Sequence, residues 1–137
     1  MKVGAMIRAF VCVLAASFPL MAIAGPAPDT DNDTVPDVLD ACSALPSAGV
    51  LSCDTDLDGY GNPCDGDFDQ SNTVNANDFS GTFLPDFGVG TDGGTGTDMD
   101  CSGGVNANDF SAYFLPQFSA GSPGPSGLPC AGTVPCK

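Results

Sequence analysis

The acidic residues of this chain recur at spacings that suit a hard cation. Four twelve-residue segments open with oxygen-bearing side chains at alternate positions and close on Asp: DTDNDTVPDVLD (loop 1, Asp29–Asp40), DTDLDGYGNPCD (loop 2, Asp54–Asp65), DFDQSNTVNAND (loop 3, Asp67–Asp78) and DMDCSGGVNAND (loop 4, Asp98–Asp109). A twelve-residue calcium loop takes ligands from positions 1, 3, 5, 7 (a backbone carbonyl), 9 and 12, with a sharp turn at position 6. In that register loop 1 offers Asp29, Asp31, Asp33, the Val35 carbonyl, Asp37 and Asp40, and loop 2 offers Asp54, Asp56, Asp58, the Tyr60 carbonyl, Asn62 and Asp65. Loop 3 offers Asp67, Asp69, Ser71, the Thr73 carbonyl, Asn75 and Asp78, and loop 4 offers Asp98, Asp100, Ser102, the Gly104 carbonyl, Asn106 and Asp109. The turn position holds Thr34, Gly59, Asn72 and Gly103, and positive φ is easiest for Gly, then Asn. The competing reading is Asp/Asn-rich turns that hold no metal; the match at both ligand and turn positions favours the cation. The expectation is about four Ca²⁺, and the five Asp of loop 1 leave room for more than one ion there.

Loops 3 and 4 belong to an internal duplication. Val74–Phe87 and Val105–Phe118 match at eleven of fourteen positions with an offset of 31 residues. Phe79, Phe83 and Phe87 are four apart, as are Phe110, Phe114 and Phe118, which places each set on one helix face. The pattern predicts helices from Ala76 to Phe83 and from Ala107 to Phe114. They stop at Leu84 and Leu115, or kink and run on to Phe87 and Phe118, because Pro85 and Pro116 lack a backbone donor and disfavour helix before them. With Leu84 and Leu115, the Phe stripes form the one sizeable apolar cluster and are expected to pack helix to helix. Val74 and Val105, at position 8, are expected to bridge the two loops by backbone hydrogen bonds. Gly88 to Thr97 reads as a linker and Gly121 to Lys137 as a Pro/Gly-rich tail without regular structure.

Composition narrows the chemistry. The chain has no His and no Glu, and its formal net charge is −14. Fifteen of the seventeen Asp lie inside the four loops; Asp86 and Asp92 lie outside. Such a surface repels nucleic acid and anionic membrane. Residues 1–24 read as a secretory signal peptide: Lys2 and Arg8, the apolar run Ala9 to Ala16, then Ala22-Ile23-Ala24 before Gly25. A membrane anchor is the rival reading, but Ser17 and Pro19 interrupt the run and it is short for a spanning helix. After cleavage Lys137 is the only basic residue left. Six Cys also remain, Cys42, Cys53, Cys64, Cys101, Cys130 and Cys136, and in an exported chain they read as disulfides with fifteen connectivities open. Zinc is disfavoured by the absence of His and of any C-x-x-C pair.

Residues 29–65 resemble the thrombospondin type 3 repeat, which alternates DxDxDGxxDxxDxC and DxDxDGxGDxCD segments; Asp29–Cys42 fits the first form and Asp54–Asp65 the second. Asn62 departs from the family, which has Asp there. Residues 67–118 resemble dockerin type I modules, two calcium-loop-plus-helix units of the pattern DxNxDGxVNxxD. The first resemblance implies a repeat wound around calcium with little regular structure, and the second a module that docks onto a cohesin partner. In that family loop positions 10 and 11 and a basic pair on the helix contact the partner. Here those positions hold Ala76-Asn77, Ala107-Asn108, Phe83-Leu84 and Phe114-Leu115, with no basic pair.

The expected organisation is a signal peptide (1–24), a thrombospondin type 3-like repeat (25–66), a dockerin-like double calcium-loop module (67–118) and a Cys-containing tail (119–137). The expected fold is small, loop-dominated and stabilised by calcium and disulfides. Two short helices come from paired EF-hand-like loop–helix units, and there is little or no sheet. Without His or Glu, and with each loop Asp in a metal register, acid–base catalysis has few candidates and an enzyme is not expected. The expected function is that of a secreted or cell-surface calcium-binding structural module; the alternative is an adaptor for a cohesin-type partner.

Overall fold

The computed structural model describes residues 25–46 and 53–136. The signal peptide expected over 1–24 lies outside the described residues. Two helices stand after loops 3 and 4, single 3₁₀ turns stand inside loops 1 and 2 (Asp37–Leu39 and Asn62–Cys64), and no strand occurs among the described residues. Each helix runs unbroken past its proline, over residues 76–89 and 107–120. The chain accommodates the proline by widening: Asp78–Phe83 and Asp109–Phe114 are π-helical, and the α-helical parts Leu84–Val89 and Leu115–Ala120 follow directly. The Leu84 N–H donates to the Phe79 carbonyl five residues back, and Leu115 does the same to Phe110. An α-helical register would press the proline ring against the carbonyl four residues back. A π turn relieves that clash and lets the helix continue past the proline. Both helices end on a left-handed glycine, Gly90 (φ 73°) and Gly121 (φ 78°), whose N–H closes on Asp86 and Gln117 carbonyls.

The core is small and aromatic. Phe68, Val74, Phe83, Met99, Val105 and Phe114 are buried together, with Phe79, Phe110 and Tyr113 packed against them. The two Phe stripes face each other, the Phe83 and Phe114 centroids being 5.2 Å apart and those of Phe79 and Phe110 5.7 Å. Phe68 stacks on both stripes, 6.2 Å from Phe83 and 5.7 Å from Phe114. Two expectations need correction. Leu84 and Leu115 are half exposed, and their place in the cluster is taken by Phe68 and Met99, the second residues of loops 3 and 4. Val74 and Val105 share the core, but no backbone bond joins them: the Val74 N–H donates to the Gly121 carbonyl instead. The end of one unit's helix, rather than the other unit's loop, receives that donor.

The three differences between the duplicated segments are Gly81/Ala112, Thr82/Tyr113 and Asp86/Gln117, and the last has a clear cause. Asp86 faces hydroxyl donors, accepting from Thr95 (2.9 Å) and Thr97 (2.8 Å), so the linker is pinned back on the first helix. Gln117 faces carbonyls and donates its amide to Pro63 (2.9 Å) and Tyr113 (3.2 Å). Gly66, between loops 2 and 3, is in close approach there: a Cβ would stand 3.1 Å from Val74 and 3.2 Å from the Gln117 amide oxygen. The described part of the tail, residues 121–136, has no helix or strand, as expected, yet it is a strap over loops 1 and 2. Gly124, Gly127 and Gly132 donate to Cys64, Asp40 and Asp58 carbonyls, and Ser126 donates to Gly59. The six Cys pair as Cys42–Cys64, Cys53–Cys101 and Cys130–Cys136, with Cα separations of 5.6, 6.4 and 5.2 Å, all within the range of a disulfide.

Phe114→Ala removes a ring in contact with four buried or half-buried neighbours, and it should cost about 3–5 kcal/mol of stability. Phe118→Ala, at a position 40% exposed, should cost well under half of that. Urea titrations of both variants under one set of solution conditions check the ordering; equal losses would contradict this account of the core.

Candidate metal centre

The four loops share one backbone. Position 6 has positive φ in every case, at Thr34 (81°), Gly59 (94°), Asn72 (64°) and Gly103 (97°). Position 4 does too, at Asn32 (65°), Leu57 (64°), Gln70 (58°) and Cys101 (56°), where only Asn32 has a side chain that favours it. The first Asp of each loop organises that turn. Its Oδ2 accepts the position-6 N–H in all four loops, at 2.5–3.1 Å. In loops 2, 3 and 4 its Oδ1 also accepts the position-5 N–H, at 2.9–3.2 Å.

This turn gathers carboxylates. Asp29, Asp31 and Asp33 in loop 1, and Asp54, Asp56 and Asp58 in loop 2, each bring one oxygen within 4.8 Å of the others. In loops 3 and 4 the groups are Asp67, Asp69 and Asp78, and Asp98, Asp100 and Asp109. The registers therefore close differently. In loops 3 and 4 the twelfth-position Asp is fully buried and spans the loop, accepting the N–H groups of positions 3 and 9 at 2.8–3.1 Å. In loops 1 and 2 the twelfth-position Asp stands outside the group of three. Asp40 accepts from the Cys42 N–H (2.9 Å) and Asp65 from the Asp67 N–H (3.0 Å).

The ninth positions do other work. Asn75 and Asn106 accept the N–H two residues on, as helix N-caps do, and donate to the Thr73 and Gly104 carbonyls (2.9 Å each). Asp37 accepts from both Thr30 groups, N–H and hydroxyl, at 2.7 Å. Asn62 clamps Thr55 as well, accepting its N–H and donating to its hydroxyl, and also donates to the Asp98 carbonyl. The Val35 and Tyr60 N–H groups donate to Asp33 and Asp58, both at 2.8 Å. Ser71 and Ser102 donate to the Thr73 (3.2 Å) and Gly104 (3.5 Å) carbonyls, which keeps the position-5 oxygen beside the position-7 oxygen. Thr30, Thr55 and Gln70, whose amide donates to Asp56 (2.7 Å), are supporting residues that the ligand register passes over. The repeated Asp-Thr-Asp opening of loops 1 and 2 was the available signal for the two threonines.

Electrostatics mark the same places. Among the described residues there is no Lys, Arg or His. Asp29 Oδ1, Asp31 Oδ2 and Asp40 Oδ2, all in loop 1, are buried acceptors that no hydrogen-bond donor meets. A buried carboxylate oxygen without a partner is costly. Burial, then repulsion from neighbouring Asp, lifts Asp31 and Asp40 above the ordinary carboxylate range, against the backbone hydrogen bonds each accepts. Burial pushes Asp65 up to about 8, with Asp58, Asp56 and Asp67 adding repulsion, and Asp56 up to about 6, with Asp58 and Asp54 adding to it. Comparison with protein-family models, curated proteins and solved structures finds no match to this chain.

A carboxylate whose folded pKa is raised stabilises the fold below its unfolded value, near 3.8, and that contribution is lost as pH rises through the folded value. The chelator-treated chain should therefore lose stability between about pH 4 and pH 8. A divalent cation requires the ionised carboxylates and expels their protons. Adding CaCl₂ at pH 7 should release protons, and the release should fade by about pH 9. Calorimetry in buffers of different ionisation enthalpy checks this; heats independent of buffer at pH 7 would contradict it.

Proposed function

We propose that this chain is a secreted calcium-binding structural module. The observation that carries the reading is the set of three donor-less buried carboxylate oxygens in loop 1. It stands beside a three-carboxylate group that recurs on the same backbone in loops 2, 3 and 4. Asp29, Asp31 and Asp33 would hold an ion in loop 1, and the trios of the other loops would hold one each. Every donor is a hard oxygen, which suits Ca²⁺ or Mg²⁺. Each group brings three carboxylates together, more than the one or two that a Mg²⁺ site usually takes, which favours Ca²⁺. Bound cations would supply the positive charge that the described residues lack. The three cysteine pairs support an oxidising, extracellular setting. No helix among the described residues is long and apolar enough to cross a membrane. The role is structural rather than catalytic: ions order the loops, and the loops carry the helices and the strap.

Calorimetric titration of the oxidised chain with CaCl₂ should give about four sites, with MgCl₂ binding more weakly. Excess chelator should collapse the amide dispersion of the NMR spectrum, since metal binding is then folding free energy. A spectrum unchanged by chelator would remove the proposal.

A second reading, the adaptor, is favoured by one observation. Leu84, Phe87, Leu115 and Phe118 remain 40–49% exposed and line two apolar hollows on either side of Phe79 and Phe110. An adaptor would bury these side chains against a cohesin-type protein. Calcium-dependent retention on an immobilised cohesin, lost in the Phe87→Ala/Phe118→Ala variant, would favour it over a purely structural role.

A further inference from the structure

We infer that Asn62 is a positioning residue that couples loop 2 to loop 4, so that a cation in one tightens the other; this rests on the calcium reading above. Asn62 sits at position 9 of loop 2 and is 3% exposed. Its Oδ1 accepts the Thr55 N–H (2.9 Å), and its Nδ2 donates to the Thr55 hydroxyl (2.8 Å) and to the Asp98 carbonyl (3.1 Å). Asp98 is the first residue of loop 4, and its carboxylate holds the Ser102 and Gly103 N–H groups that shape that turn. One amide thus spans the opening of loop 2 and the pivot of loop 4. The same junction is tied twice more. The Asn62 N–H donates to the Cys53 carbonyl (2.6 Å), and Cys53 is paired with Cys101, whose own N–H donates to the Asp98 carbonyl (3.2 Å). Ordering loop 2 around a cation fixes Thr55 and Asn62, and Asn62 fixes the backbone from which Asp98 reaches its ion.

Loop 1 shows what the amide adds. Asp37 occupies the equivalent position and clamps the equivalent Thr30 with its two oxygens, the N–H and the hydroxyl both at 2.7 Å. A carboxylate is therefore sufficient for the clamp within the loop. What it lacks is a donor for a carbonyl in another loop. The Asn at 62 is explained by that third bond, and Asn62→Asp removes the link while keeping the local clamp.

The test is a CaCl₂ titration of the full oxidised chain, wild type and Asn62→Asp, followed by amide NMR. Gly59 reports on loop 2, Asn72 on loop 3, and Gly103 with Gly104 on loop 4. In Asn62→Asp the loop 4 midpoint should rise about three- to tenfold, the worth of one lost hydrogen bond. The loop 2 midpoint should rise by a similar factor, because the coupling is reciprocal, and the loop 3 midpoint should stay at the wild-type value. Asp54→Asn, which weakens loop 2 directly, should raise the loop 4 midpoint in wild type and raise it by clearly less in the Asn62→Asp background, where the Cys53–Cys101 pair still joins the two loops. An unchanged loop 4 midpoint in Asn62→Asp, or loops 3 and 4 shifting together as a damaged core would make them, overturns the coupling. No calcium response at any loop of the wild type overturns the calcium reading itself, and the coupling with it.

Discussion

Fifteen carboxylates are held in four tight turns without one basic side chain among the described residues, and the rest of the molecule is arranged around that repulsion. The backbone supplies the first compensation. In each loop the leading Asp turns its carboxylate back onto the N–H of position 6, and two successive left-handed or near-left-handed bends bring those donors inward. Hydrogen bonds to an ionised group are among the stronger ones. They are still partial charges set against whole ones. Loop 1 shows where they run out, at Asp29, Asp31 and Asp40, beside an acidic group that could hold a metal ion.

The loops share a turn and diverge in what the turn is attached to. Position 2 decides this. In loops 3 and 4 it is Phe68 and Met99, which insert between the Phe stripes and make the helices and the turns one body. In loops 1 and 2 it is Thr30 and Thr55, which turn inward to position 9 and leave those loops with no apolar anchor of their own. They are held from outside instead, by Cys42–Cys64, by Cys53–Cys101 and by the backbone donors of the tail. The aromatic core is small, and cross-links between distant segments stand beside it.

Much of this was legible in the sequence, because local chemistry determines it. Alternating Asp and the turn at position 6 act within one segment, and that turn forms at all four sites, while the twelfth-position Asp completes the carboxylate group only in loops 3 and 4. The Phe spacing of four likewise specifies one helix face, and the stripes do meet. What the sequence left open was settled by contacts between segments distant in the chain. Whether Pro85 and Pro116 end a helix depends on whether Phe87 and Phe118 gain by staying in register, and π-helical widening let them. Position 8 looked like a loop-to-loop bridge, yet the Val74 N–H meets Gly121, because the partner helix ends where the other loop was expected. The six cysteines permitted fifteen pairings, and only the placement of loop 2 beside loop 4 joins Cys53 to Cys101. Asn62 stands at a ligand position of the register; its amide also meets Thr55 and the Asp98 carbonyl, a contact across 36 residues that local spacing does not announce.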